Sequence, residues 1–227
     1  MPGVIAILTG ADYEADGLGV VRGVSPLKRR DGSPMYRPPR PALISDRVRH
    51  VGQGVALVIA ETINQGKDAT EAIEVDYSPL PAHFSTAEAN QGGVPQLYDD
   101  CLNNEPVHVN HGDADAVDAA LAAAPHVLRE TFVVNRVAGC TMEPRSVVGE
   151  YDEGRDHYTI HACHQRPYIW RQMMCDHVFH IPENKMTIIA GDVGGSYGMK
   201  GGLYPEVPLT AWAAKKTGRP VKWTCER

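Results

Sequence analysis

Six glycines fall within the twelve residues Gly191-Asp-Val-Gly-Gly-Ser-Tyr-Gly-Met-Lys-Gly-Gly202. A stretch this rich in glycine continues neither a helix nor a strand, because each glycine loses more backbone freedom on ordering than any other residue. It therefore separates two elements. Residues 185–190 before it read as a strand, and residues 205–217 after it read as a helix with Gly218 at its end and Pro220 beyond. Glycines at such a junction permit positive φ and let backbone N–H groups approach an anion closely. The segment is not a P-loop, because Met199 precedes Lys200 and no Gly-Lys-Ser/Thr occurs, and it is not GxGxxG. Two readings stay open: a loop that holds a phosphate-bearing or other anionic ligand, or a tight structural turn.

Upstream, residues 4–8 predict a strand that begins almost at the first residue, either an edge strand or the remnant of a domain cut at Met1. Residues 17–41, rich in Pro, Gly and charge, predict an irregular excursion. Runs at 48–51, 55–60 and 72–77 read as strands around a helix at 64–71 capped by Asn64. Pro79 and Pro81 stop that unit, and 86–105 has the composition of a linker. A second unit opens with Asp113 as N-cap of an alanine-rich helix to 124. It continues with a strand at 126–135, a hairpin of 147–151 and 157–163 about Asp152-Glu-Gly154, and a helix from Pro167 to His180. On that helix Trp170, Met174 and Val178 share the more apolar side.

The chain has 227 residues with 43% hydrophobic content, enough for one large or two small domains with a real core. Its net charge of -6, spread along the chain, argues against a nucleic-acid surface. No apolar run approaches the roughly 20 residues of a membrane helix, and Met1-Pro-Gly3 is no signal peptide. Five cysteines without a CxxC pair suit reduced thiols in a cytoplasm.

Three further segments carry polar chemistry. His161-Ala-Cys-His-Gln-Arg-Pro167 spans a strand end and a helix start, where Gln165 offers an amide donor and acceptor to an oxo or carbonyl oxygen, or simply caps the helix. His157, His161, His164, His177 and His180 with Cys163 and Cys175 lack the paired spacing of a zinc site, and none is expected. Thr141-Met-Glu-Pro-Arg145 predicts a structural ion pair in which Arg145 keeps Glu143 ionised, rather than an acid/base group.

Together these segments resemble one family. Ser33-Pro-Met-Tyr-Arg-Pro-Pro-Arg-Pro41, Asp46-Arg-Val-Arg-His-Val-Gly-Gln53, Ala60-Glu-Thr62 and Glu74-Val-Asp-Tyr-Ser-Pro-Leu-Pro81 look like the a/b hammerhead domain of the large subunit of aerobic carbon monoxide dehydrogenase and its xanthine dehydrogenase and aldehyde oxidase relatives. Met142-Glu-Pro-Arg145, Gln165 with Pro167, Asp192-Val-Gly-Gly-Ser-Tyr-Gly198 and Gly218-Arg-Pro-Val-Lys-Trp223 look like the start of the same family's molybdopterin-binding region.

The resemblance implies an α+β chain with a hammerhead domain over 1–85, a linker over 86–111 and the start of a molybdopterin-binding domain over 112–227, incomplete at both ends. It implies a molybdenum–molybdopterin cofactor in a dinucleotide form, with FAD and 2Fe–2S clusters on partner subunits. Those partners are an iron–sulfur small subunit, an FAD-binding medium subunit and a second copy of the large subunit. The reaction implied is oxidation of carbon monoxide, an aldehyde or an N-heterocycle with water as oxygen source. By the same resemblance Gln165 hydrogen-bonds the molybdenum oxo group, and Gly194, Gly195, Ser196, Tyr197 and Gly198 approach the dithiolene; no protein metal ligand is implied.

Three positions depart from the family pattern. Ser196-Tyr197 stand where Gly-Phe is common, which would tighten the loop or add a hydroxyl beside the cofactor. Gly201 stands where purine-oxidising members carry Glu, and Tyr168 where His often follows Gln-x-Pro. The family's catalytic glutamate lies beyond this segment, so the chain alone is expected to be inactive. The competing expectations are a non-catalytic scaffold of such a complex, and an unrelated α/β protein that binds a nucleotide through the glycine loop.

Overall fold

The computed structural model describes residues 1–23 and 25–226. In chain order its elements are β1 (Val4–Thr9), α1 (Gly10–Ala15), β2 (Ala56–Ala60), α2 (Ile63–Glu71), α3 (Ala114–Ala123), β3 (Ser146–Asp152), β4 (His157–Ala162), α4 (Pro167–Met174), β5 (Met186–Ile189), α5 (Glu206–Thr217) and β6 (Val221–Thr224). They fall into two compact units, and helices and sheets mix as the α+β expectation has it. The first unit takes in the described residues of Met1–Gly23, Pro38–Ala82 and Gly139–Arg227, and the second those of Val24–Arg37 and His83–Ala138.

In the first unit β1 and β2 pair antiparallel. Thr9 ends β1 and caps α1: its Oγ1 accepts from the Asp12 N–H, and the Asp12 carboxylate accepts from the Thr9 N–H at 2.8 Å, closing a capping box. Thr62, not Asn64, caps α2 by accepting from the Gln65 N–H. The helix begins one residue before Asn64, so that side chain falls inside the first turn.

The larger sheet has the order β5-β4-β3-β6. β3 and β4 form the predicted hairpin, with Asp152 Oδ1 accepting from the Arg155 N–H in its turn. β5 lies parallel to β4, so the chain must cross over through α4. Pro167 starts α4, as its fixed φ suits. The helix keeps α geometry only to Met174; Cys175–Phe179 widens into π-helical backbone, and His180 stops it in the left-handed region at φ 53°. The apolar side predicted for α4 is the buried one, with Met174 and Val178 fully enclosed.

α5 lies across β3. Every residue from Val207 to Ala214 is buried, which fits a helix with small or apolar residues on all sides. Gly149 on β3 makes the approach possible, since a Cβ there would sit 2.7 Å from the backbone of Thr210 and Ala211. Tyr13 of α1 meets Trp212 of α5 edge to face at 5.3 Å, and Asp16 accepts from Trp212 Nε1 at 2.7 Å. The elements at the two ends of the sequence thus share one core.

In the second unit Asp113 caps α3 by accepting from the Ala116 N–H at 3.0 Å. Asn104 organises the preceding loop: its Oδ1 accepts from the Leu97 N–H, and its Nδ2 donates to the carbonyls of Ala89 and Pro95. Tyr36 donates its hydroxyl to Asp100 across a separation of 64 residues. The runs at 48–51, 72–77 and 126–135, expected as strands, form none. Alternating apolar residues make a strand only when another strand supplies hydrogen bonds, and no neighbour pairs with them among the described residues.

Candidate functional site

The glycine loop leaves the end of β5 and is turned by three left-handed residues, Gly195 at φ 90°, Tyr197 at φ 49° and Gly198 at φ 87°. The loop bonds mainly to itself. The N–H groups of Gly195 and Met199 donate to Val193 O and Ser196 O, each at 2.8 Å, and that of Gly201 donates to Gly198 O. The Lys200 N–H donates to Ser196 Oγ at 3.1 Å, so this hydroxyl tightens the loop and keeps its own proton free to donate. The N–H groups of Ser196, Tyr197 and Gly198 find no partner among the described residues. A Cβ at Gly198 would meet nothing within 4 Å, so the backbone there borders open space.

Glu143 holds the start of the loop. Its Oε2 accepts from the Gly194 N–H at 2.7 Å and from Lys200 Nζ at 2.6 Å, while its own N–H donates to Gly194 O. The Lys200 bond first, then the Gly194 N–H, hold the Glu143 carboxyl below the usual carboxylate range. The backbones come so close that a Cβ on Gly194 would lie 2.5 Å from that of Glu143. The pairing expected between Glu143 and Arg145 is corrected: neighbouring residues in this turn diverge, and Arg145 Nε instead bonds Glu206 Oε1 at 2.9 Å. The Arg145 guanidinium lies over the Tyr204 ring, 4.0 Å from its centroid. Lys200, only 1% exposed, was not singled out by sequence reasoning, because a lysine in a glycine-rich loop normally points to water.

Gln165 stands where the chain passes from β4 toward α4. Its N–H donates to Lys200 O at 3.2 Å, and a Cβ on Gly201 would sit 3.1 Å from its Oε1. Its side chain is exposed, and its amide has no hydrogen-bond partner among the described residues. Trp170 of α4 adds a bond from Nε1 to Gly201 O. The connection between Gln165 and residues 194–198 therefore runs through Lys200 and Gly201.

Beneath this junction His164 is 2% exposed and stacked on Trp170, with ring centroids 4.2 Å apart. Neither ring nitrogen has a hydrogen-bond partner among the described residues. Burial pushes its pKa down to about 4, so the imidazole is neutral. No group of three or more His, Cys, Asp or Glu side chains that could hold a metal ion occurs among the described residues.

The site thus offers neutral donors, three backbone N–H groups, a hydroxyl and a carboxamide, beside the α+β core. Such donors suit a polar group rich in acceptor atoms, as an oxo, phosphate or pterin group is.

Residues 97–227 match the family described as molybdopterin cofactor-binding domain, and residues 1–81 match the aldehyde oxidase and xanthine dehydrogenase a/b hammerhead domain. Among curated relatives, the chain is 37% identical to the 6-hydroxypseudooxynicotine dehydrogenase complex subunit gamma of Paenarthrobacter nicotinovorans, over 82% of this chain and 23% of the relative. It is 30% identical to the carbon monoxide dehydrogenase large chain of Hydrogenophaga pseudoflava, over 100% of this chain and 28% of that one. Among solved structures, quinoline 2-oxidoreductase from Pseudomonas putida 86 superposes with a TM-score of 0.88 at 27% identity, over 100% of this chain and 28% of that chain. A Cu,Mo-CO dehydrogenase gives 0.84 at 28% identity, over 100% of this chain and 29% of that one. The chain spans about a quarter of the length of these curated relatives. With the glycine loop and Gln165 inside the matched region, the chain belongs to the molybdopterin cofactor-binding family of aldehyde oxidase and xanthine dehydrogenase type.

Proposed function

We propose that this chain supplies one wall of the molybdopterin site in the large subunit of a molybdenum-dependent dehydrogenase. The observation that carries this reading is the coincidence, in one loop, of three N–H groups without a partner among the described residues and, beside it, the Gln165 carboxamide, likewise without one among them. Gly194, Gly195, Ser196, Tyr197 and Gly198 would hold the cofactor by backbone donors and the Ser196 hydroxyl, and Gln165 would donate its amide to the metal's oxo group. When bound, the cofactor supplies the two-electron redox chemistry that inserts a water-derived oxygen into a carbon substrate. The protein's part is positional: fixed donors need not reorganise, and the small residue at 201 leaves the space beside Gln165 open.

The substrate is a small molecule of the carbon monoxide, aldehyde or N-heterocycle class; relatives named for nicotine and quinoline favour the last. Relatives named as a complex subunit and as a large chain support assembly with other subunits, here an iron–sulfur small subunit, an FAD-binding medium subunit and a second large subunit. We place the domain division at 1–85, 86–111 and 112–227. Five free cysteines support a cytoplasmic location; no described helix is long and apolar enough to cross a membrane.

The test is metal and pterin content. The chain is joined to the part of the Hydrogenophaga large chain that follows the matched region, and produced in a host that makes molybdopterin. It should carry molybdenum and pterin in near-equal amounts, and Gly198→Val should lose at least ten-fold of both. A folded protein with neither would overturn the proposal.

A further inference from the structure

The geometry points to Glu143 and Lys200 as positioning residues that hold the glycine loop in its cofactor-receiving conformation. The inference rests on the reading of that loop as the cofactor wall, but its evidence is independent of it. Glu143 Oε2 receives bonds from both ends of the loop, from the Gly194 N–H at 2.7 Å and from the Lys200 ammonium at 2.6 Å. Glu143 also donates its N–H back to Gly194 O, so the 142–145 turn and the loop are joined at three places. Further anchors come from other residues: Lys200 O accepts from the Gln165 N–H, Gly201 O from Trp170 Nε1, and Met199 O from the Tyr204 hydroxyl at 2.6 Å.

Lys200 occupies the central place in this arrangement. Its side chain is 1% exposed while that of Glu143 is 36% exposed, so the carboxylate reaches from solvent over a buried ammonium. Its N–H, its carbonyl and its ammonium each take a different partner, namely Ser196, Gln165 and Glu143. A change at Lys200 therefore moves both the loop carrying the free N–H groups and the residue carrying the free amide. A buried ion pair need not stabilise the fold, since its desolvation offsets its attraction. This pair connects the loop to Gln165 through the Lys200 backbone.

The experiment separates a positioning role from a structural one. Hydrogen–deuterium exchange is followed on the full chain without cofactor, for wild type, Glu143→Met/Lys200→Met and Glu143→Gln/Lys200→Met. The first double variant removes both charges and leaves neither partner alone, so its melting temperature should stay close to wild type. Its hydrogen-bonded amides at Gly194, Gly195, Met199, Lys200 and Gly201 should nevertheless exchange at least ten-fold faster. Glu143→Gln/Lys200→Met restores a neutral acceptor for the Gly194 N–H and should recover part of that protection. In the joined protein the first variant should also lose at least ten-fold of its pterin. Unchanged exchange across 194–201 in the first double variant would overturn the inference, whatever the cofactor content, and so would faster exchange spread evenly over the whole fold.

Discussion

Gly149→Ala tests whether the contact of α5 with β3 is as close as the geometry requires. A Cβ on Gly149 would lie 2.7 Å from Ala211 N, from Thr210 C and from Thr210 O, all backbone atoms that cannot rotate away. Ordinary contact begins near 3.4 Å, so the helix or the strand must yield by roughly 0.7 Å. The helix has little freedom to move, because eight consecutive residues from Val207 to Ala214 are buried. Overpacking of this kind costs about 1–3 kcal/mol, against which alanine regains roughly 0.5–1 kcal/mol of the backbone entropy that glycine forfeits in a strand. A fixed helix puts the cost at the upper end, and the net loss is about 2 kcal/mol. For a chain of this size that lowers Tm by roughly 4–8 °C.

The assay is thermal unfolding followed by far-ultraviolet circular dichroism, with Gly66→Ala measured alongside. Gly66 lies inside α2, where a Cβ would meet Ala60 Cβ at 3.8 Å, an ordinary contact. Its replacement should stabilise by about 0.5–1 kcal/mol through helix propensity. Opposite signs for two identical substitutions are the result the packing demands. A Gly149→Ala protein that melts at or above wild type would refute the account of α5 on β3.

Two other outcomes follow from single residues. His164 has its pKa pushed down to about 4 from 6.5 by burial, so between those values the unfolded chain binds a proton that the native one does not. Stability is then fully present above pH 6.5 and lost as the pH falls toward 4, by about 2 kcal/mol already at pH 5. His164→Phe, which keeps a ring on Trp170, should remove that loss in urea titrations at pH 7 and 5, and an equal loss in both proteins would count against it. Asp113→Ala removes the side-chain cap of α3, none of whose residues is buried, and should cost about 1 kcal/mol of local helix stability. Faster amide exchange confined to 114–123 is the expected reading; an unchanged rate at Ala116 would contradict it.

The sequence was most legible where local chemistry and tertiary structure agree. Pro167, Gly218 and Asp113 bound their helices as their backbone preferences require, and the Asp152-Glu-Gly154 turn closes its hairpin. Legibility failed where the partner lies far along the chain. Residues 126–135 alternate like a strand, but a strand is defined by its neighbour, which alternation cannot name. Thr62 outcompeted Asn64 as a cap because the helix starts earlier than the apolar pattern shows. At the site, glycine composition revealed the loop and Gln165 its amide. The partner of Glu143 stayed hidden, since Lys200 is 57 residues away and Arg145 only two.

Tyr197 sharpens what the glycine loop is. A bulky residue at φ 49° is strained by about 1 kcal/mol or more, and it persists only where the surroundings over-determine the backbone. The ring itself does not supply that restraint, since Tyr197 is 82% exposed. The restraint comes from either side: Ser196 accepts from the Lys200 N–H through its hydroxyl and from the Met199 N–H through its carbonyl, and Gly198 accepts from the Gly201 N–H. A tight structural turn has no need of a tyrosine in this conformation, because glycine would fill it without strain. A loop whose three adjacent N–H groups find no partner among the described residues has such a need, because its backbone is held there only through the acceptors of Ser196 and Gly198. The strain at Tyr197 and the free donors beside it are thus two aspects of one arrangement, which favours the ligand-holding reading of the glycine-rich segment over the merely structural one.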